Sequence, residues 1–410
     1  MKKTRRSRRR SRIWRRMASA EHGYSLSELI VVVIIIAILA SAVLPMSKAS
    51  LKRAKELELH RALREIYLNT PALAALGITA ESFGGHAQVD FERGRFYENG
   101  FELLLSRLIP RLLAPERYTA ALRMARRIIH AGGVTTIGDG GFAALGFDQE
   151  FQALKRAGFD SDETPFRSVL LIDGRTVGGH MSHEVARGWI ESLPERGTHR
   201  LRLPGKAVML FADGHAGEWI MTPEELEAAA RVYWNAGFRI HVYVNGDLGL
   251  EKTLDVLEKL QQEQPRTDHR FTLHHLVYAR PEQTRRIARL GAMVSAGVPL
   301  AFQSDFPLAP VRPLLLAWVG ATRITADGKQ VATQERISLD EALQAITLDA
   351  AYQLGMEDEI GSIAAGKRAD FTVLEQDPYA VPVEKLLDIP IWGTVFEGKA
   401  YPLPRAKRGS

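Results

Sequence analysis

The chain has 410 residues, of which 46% are apolar, with a formal charge of +6 and no cysteine. Length and composition predict more than one folding unit and a sizeable core; the lack of cysteine excludes thiolate zinc sites, disulfides and a cysteine nucleophile. The positive charge does not mark a nucleic-acid surface: residues 1–23 hold ten Lys/Arg against one acid, leaving 44 basic and 47 acidic residues elsewhere, so no nucleic-acid partner is expected.

After the basic run of residues 1–16 comes Glu21-His22-Gly23-Tyr24-Ser25-Leu26-Ser27-Glu28, then an apolar stretch from Leu29 to Leu44. Counted from Tyr24 to Pro45, a helix here would be about 33 Å long, enough to cross a bilayer. The positive-inside rule then keeps the leader in the cytoplasm and puts the body on the far side of the membrane. Glu28 opens the apolar segment, where an acidic side chain is costly unless it is paired. Lys52–Tyr67 is predicted to continue as an amphipathic helix, with Leu59, Ala62, Leu63 and Ile66 on one side.

These residues resemble the N-terminus of type IV pilins and type II secretion pseudopilins, over residues 17 to 67. The resemblance implies cleavage by a prepilin peptidase after Gly23, a mature chain starting at Tyr24, and Glu28 pairing with a neighbouring pilin-like subunit. It also implies a single-pass protein of the bacterial inner membrane. The expected division is a leader (1–23), a membrane helix and stem (24–67), a barrel (68–358) and a β-rich tail (359–410).

From Leu68 the pattern changes to short apolar strands alternating with amphipathic helices, the signature of an α/β fold. Strands are predicted at Val134–Ile137, Ser168–Ile172, Ala207–Ala212, Ile240–Val244, Phe271–His275, Ala292–Ser295 and Pro299–Gln303. Helices are predicted at Tyr118–Ala131, Phe147–Arg156, Glu184–Leu193, Pro223–Ala236, Leu250–Glu263, Pro281–Leu290 and Leu339–Leu354. The last apolar run delivers Ser304 and Asp305 to a strand's C-terminal end, where α/β barrels keep their chemistry. Only three residues separate the last two strands, whereas parallel neighbours need a crossover of a dozen or more, so both cannot occupy ordinary barrel places.

Three tracts resemble the amidohydrolase superfamily, in its amidohydrolase-3 branch: VMLFADG (208–214), RFTLHHLVYARPEQTRRIARLGAMVSA (270–296) and GVPLAFQSDFPLAP (297–310). The tail IGSIAAGKRADFTVLEQDP (360–378) resembles that superfamily's return into a small β-sandwich. The resemblance spans residues 68 to 404 and implies an incomplete, truncated (β/α)8 TIM-type barrel with a sandwich remnant. It further implies a metal-dependent hydrolase of C–N bonds in small non-peptide amides, using a divalent, zinc-like cation. His275 and Asp305 match metal ligands, and Asp305 also matches the group that takes the water's proton.

The chain departs from that pattern at several places. Met209 stands at the fourth-strand lysine and Tyr243 at the fifth-strand histidine. Lys206 falls on the opposite face, His241 lies one layer deeper, about 6.6 Å down the strand, and the HxH pair of the first strand has no counterpart. His274, adjacent to His275, should point away from it. His180-Met181-Ser182-His183-Glu184 reads as a helix N-terminus with an early Glu. The sequence therefore predicts a hydrolase of impaired activity; the alternative is a membrane-anchored pilin-like component carrying a non-catalytic, hydrolase-derived domain.

Overall fold

A computed structural model describes residues 65–97, 100, 103–104, 107–108, 110, 113–144, 146–174, 182–214, 219–276, 278–294, 301–306 and 309–404. The leader, Gly23, Tyr24, Glu28 and the expected membrane helix lie outside the described residues. Among the described residues, no helix is long and apolar enough to cross a membrane.

The chain divides into two compact units, ending and beginning at Leu105 and Ser106. The first contains a small antiparallel sheet of β1 (Glu65–Tyr67), β2 (Val89–Asp90) and β3 (Arg95–Tyr97), in the order β1-β3-β2, and a short helix α1 (Thr70–Leu76). Asn69 caps α1 by accepting the Ala72 N–H at 3.0 Å.

The second unit is built on parallel strands. In chain order it runs α2 (Pro115–Ala131), β4 (Thr136–Phe142), α3 (Phe147–Arg156), β5 (Arg167–Asp173), α4 (His183–Ser192), β6 (Leu201–Arg202), β7 (Ala207–Phe211), α5 (Pro223–Asn235), β8 (Arg239–Val244), α6 (Asp247–Glu263), β9 (Thr272–His275), α7 (Pro281–Leu290) and β10 (Met293–Val294). The strand order is β10-β9-β8-β7-β5-β4, with β6 beside β5, forming a curled half-barrel. Helices α8 (Pro313–Thr322), α9 (Leu339–Ala345) and α10 (Leu348–Leu354) follow, then an antiparallel sheet of β11 (Phe371–Leu374), β12 (Ile391–Phe396) and β13 (Lys399–Pro402).

Local chemistry sets the helix starts. Thr222 and Glu225 form a capping box ahead of Pro223 on α5, and Ser338 with Glu341 does the same on α9. Ser182 accepts the Val185 N–H to cap α4, so the His183-Glu184 segment is a helix N-terminus as expected; His180 and Met181 lie outside the described residues.

One face of the sheet packs on helices. Leu210, Val242 and Leu273 join Tyr233, Leu254, Leu257 and Ile287 in one cluster, and full burial of each such aliphatic side chain contributes about 1.5–3 kcal/mol. The other face is also covered at β5: Val169 packs with Ala351, Met356 and Ile360. A Cβ on Gly138 of β4 would lie 2.8 Å from the Leu354 side chain, so α10 comes close only because that residue is glycine. Burial on both faces explains why β5 reads as the unbroken run Val169-Leu170-Leu171-Ile172.

Three expectations change. The helix predicted over Lys52–Tyr67 gives way at its end to strand β1, Glu65–Tyr67, which pairs with β3; residues 52–64 lie outside the described residues. The helix predicted over 339–354 is two helices, because Thr347 leaves helical dihedrals and its hydroxyl donates to the Leu343 carbonyl at 2.7 Å. The strand predicted at Pro299–Gln303 is not formed in its described part, residues 301–303; residues 295–300 lie outside the described residues. Where a sandwich remnant was expected, the chain forms the single antiparallel sheet β11-β12-β13. Arg167 on β5, fully buried, joins it to the barrel by pairing with Asp370 at 2.5 Å and Glu397 at 3.0 Å while lying over the Phe396 ring.

Candidate active site

The C-terminal ends of β7, β8 and β9 carry the candidate residues. Strand register pairs Met209 with His241 and Phe211 with Tyr243, and places His241 beside Thr272 and Tyr243 beside His274. Because Leu210, Val242 and Leu273 face the helices, Met209, Phe211, His241, Tyr243, Thr272 and His274 occupy the opposite, concave face.

The family-matched positions therefore hold a thioether and a phenol. Met209 reaches across the concave face, its sulfur 3.9 Å from where a Cβ on Gly140 would sit. The Tyr243 ring lies 5.4 Å from that of Phe211 and 4.1 Å from that of His275. Lys206 points elsewhere, its Nζ donating to the Ala236 carbonyl at 3.2 Å.

His275 and Asp305 do come together, with Nδ1 and Oδ2 3.9 Å apart; the histidine side chain is 11% exposed and the aspartate 42%. By alternation His275 belongs with Leu273 on the helix side. Its φ of +68°, followed by +45° at Leu276, turns the strand end so that the ring reaches Tyr243. Asp305 has a φ of +49°. Left-handed conformations cost roughly 1–2 kcal/mol for non-glycine residues, and three of them at one rim mark a locally constrained site.

His274 does not point to the helices. His241 Nδ1 and His274 Nε2 are 2.9 Å apart, and His274 Nδ1 is 3.1 Å from Gln303 Oε1. Burial pushes His274 down to about 4 and holds His241, only 1% exposed, well below the ordinary imidazole range. Both rings are thus neutral at physiological pH. This row escaped the sequence reading, although Leu273 on the helix side already fixes its neighbour on the concave side.

Asp213 has a structural role. Its carboxylate accepts the N–H groups of Asn245 at 2.7 Å and Gly246 at 2.8 Å, fastening β7 to the start of α6. Beside the outer side of β4, burial with Glu150 and Asp139 nearby raises Tyr118 to about 12.

A divalent cation of the expected kind takes at least three protein ligands at a catalytic zinc centre. Among the described residues there is no group of three or more His, Asp and Glu that could hold a metal ion. His275 and Asp305 supply two donors, and Met209 and Tyr243 do not supply the expected others, so the described donor set does not fit such a cation.

A curled parallel half-barrel with a histidine and an aspartate at its C-terminal rim defines the architecture of an α/β barrel protein. The chain belongs to the amidohydrolase family, whose model matches residues 49–401. The prokaryotic N-terminal methylation motif matches residues 18–44, so both resemblances drawn from the sequence hold. Curated relatives include an N-substituted formamide deformylase of Arthrobacter pascens, 25% identical over 232 residues, covering 48% of this chain and 43% of that protein. An imidazolonepropionase of Thermoplasma volcanium is 22% identical over 234 residues, 51% of this chain and 53% of its own length. The chain thus spans about half the length of these relatives. A crystal structure of an uncharacterized metal-dependent hydrolase from Pyrococcus horikoshii shares the fold, with a TM-score of 0.59 and 18% identity over 78% of this chain and 71% of that one.

Proposed function

We propose that the second unit is a hydrolase domain for C–N bonds of small non-peptide amides, with turnover held low by its incomplete ligand set. The observation that carries this reading is the His275–Asp305 pair at 3.9 Å on the rim, in a family whose relatives include a deformylase of N-substituted formamides. Asp305, partly open to solvent and beside His275, is the group able to accept a proton from an attacking water. No step is assigned to a metal, because Met209 and Tyr243 offer neither the lysine nor the imidazole of the family pattern. Purified protein should contain well under one zinc per chain and hydrolyse N-acyl and N-formyl amines slowly. Near-stoichiometric zinc, with rapid turnover abolished by Asp305→Ala, would overturn the claim of impairment.

A second reading is supported by the methylation motif at residues 18–44: a membrane-anchored, pilin-like component carrying the domain as a non-catalytic passenger. In it Gly23 and Tyr24 flank the peptidase cut, Glu28 meets a neighbouring subunit, and the body lies outside the inner membrane. Co-expression with a prepilin peptidase should shorten the chain by the mass of residues 1–23. A leader that stays uncut, or cutting indifferent to Gly23→Ala, removes this reading.

A further inference from the structure

We propose that Gln303, His274 and His241 form a positioning relay that holds Asp305 against His275. The inference rests on the assignment of those two residues to the site, and not on turnover. Residues 301–306 belong to no strand, so no β ladder fixes Asp305. Long backbone bonds, at 3.4 Å each, tie Ala301 to Val294 and Phe302 to Ala345, and two successive side chains anchor the segment on opposite sides. Phe302 packs with Leu314, Ala317 and Ile337 beneath α8, where a Cβ on Gly320 would lie 2.6 Å from its ring. Gln303 meets His274 on the concave face. Asp305 follows two residues later in a left-handed conformation that disfavours a non-glycine residue unless its neighbours enforce it.

Donor and acceptor counting sets the direction of the relay. Gln303 Oε1 can only accept, so His274 carries its proton on Nδ1. Its Nε2 is then the acceptor facing His241, whose Nδ1 must donate across the 2.9 Å contact. His241 Nε2 is left as a bare lone pair, and this buried atom has no partner among the described residues. Both rings thus hold the tautomer in which Nδ1 bears the hydrogen, as histidines do when a second group orients them. Packing alone would not select it.

The test uses the full chain, purified in detergent with 15N-labelled histidine, and long-range 1H–15N NMR at a pH where both rings are neutral. Signals are assigned through His241→Gln and His274→Gln. Both histidines should show the Nδ1–H tautomer. Gln303→Leu should return His274 to the Nε2–H form, whereas Gln303→Glu should preserve Nδ1–H. A crystal structure of Gln303→Leu should show Asp305 displaced from its 3.9 Å contact with His275. Nε2–H at His274 in the native chain, tautomers unchanged in Gln303→Leu, or Asp305 unmoved in that variant would overturn the relay. Zero turnover with the expected tautomers and displacement would sustain it and refute only the hydrolytic reading.

Discussion

Arg167 offers the sharpest test of what joins the half-barrel to the C-terminal sheet. Its guanidinium is fully buried and Asp370 is only 3% exposed; Thr136 and Glu397 take further bonds at 3.0 Å. Arg167→Met keeps most of the apolar stem but strands the Asp370 carboxylate, and removing one partner of a buried pair costs about 3–5 kcal/mol. Loss of the cation over the Phe396 ring, 4.6 Å away, adds roughly 0.5–1 kcal/mol. Against a total stability of about 5–15 kcal/mol, urea unfolding should show a large fall in midpoint with little change in slope. Adding Asp370→Asn removes the stranded charge while keeping an oxygen for the Glu397 N–H, now 2.8 Å from Asp370, and should recover part of the loss. A fall under about 1 kcal/mol in the single variant, or no recovery in the double, would show that the buried pair does not hold the two sheets together.

Two further outcomes follow from the packing. In Gly249→Ala the new Cβ would meet the Asp213 carboxylate at 2.4 Å; helix propensity alone would gain about 1 kcal/mol, so a lowered thermal midpoint, reporting an overpacking cost of roughly 1–3 kcal/mol that outweighs it, establishes the clash, and a raised one refutes it. His274 has its folded pKa depressed from 6.5 to about 4; its neutral form therefore stabilises the fold above pH 6.5, and that contribution, about 3 kcal/mol at most, is lost as pH falls toward 4. The acid-induced drop in urea midpoint should shrink in His274→Gln, and an equal drop in both proteins would exclude this histidine as its source.

Much of the half-barrel was legible because its strands are buried on both faces. The runs at 168–172, 207–212 and 240–244 read as strands from apolar content alone, and β5, β7 and β8 lie there. Helix α8 was missed because Pro313-Leu314-Leu315-Leu316-Ala317-Trp318-Val319-Gly320 has no polar side from which to read a period. The strand predicted at 299–303 followed from equally apolar residues, and the three-residue link before it was the better guide. At the site, His275 and Asp305 were recognisable, but counting alternation from His275 put His274 on the wrong face: His275 departs from the alternation through its left-handed turn, and no spacing reports a dihedral. The grip of Asp213 on Asn245 and Gly246 joins residues 32 and 33 positions apart, a pairing that appears only once β7 and β8 are neighbours.

The seat of α10 against β4 and β5 has a consequence for the order in which this molecule can be completed. Gly138 and Val169 leave the ribosome long before Ala351 and Leu354, which cover them. At about 5–20 residues per second, roughly 10–40 s pass with that apolar surface bare. During this interval the nascent sheet offers itself to chaperones or to other emerging chains, and release from that exposed state awaits a helix made near the end of translation.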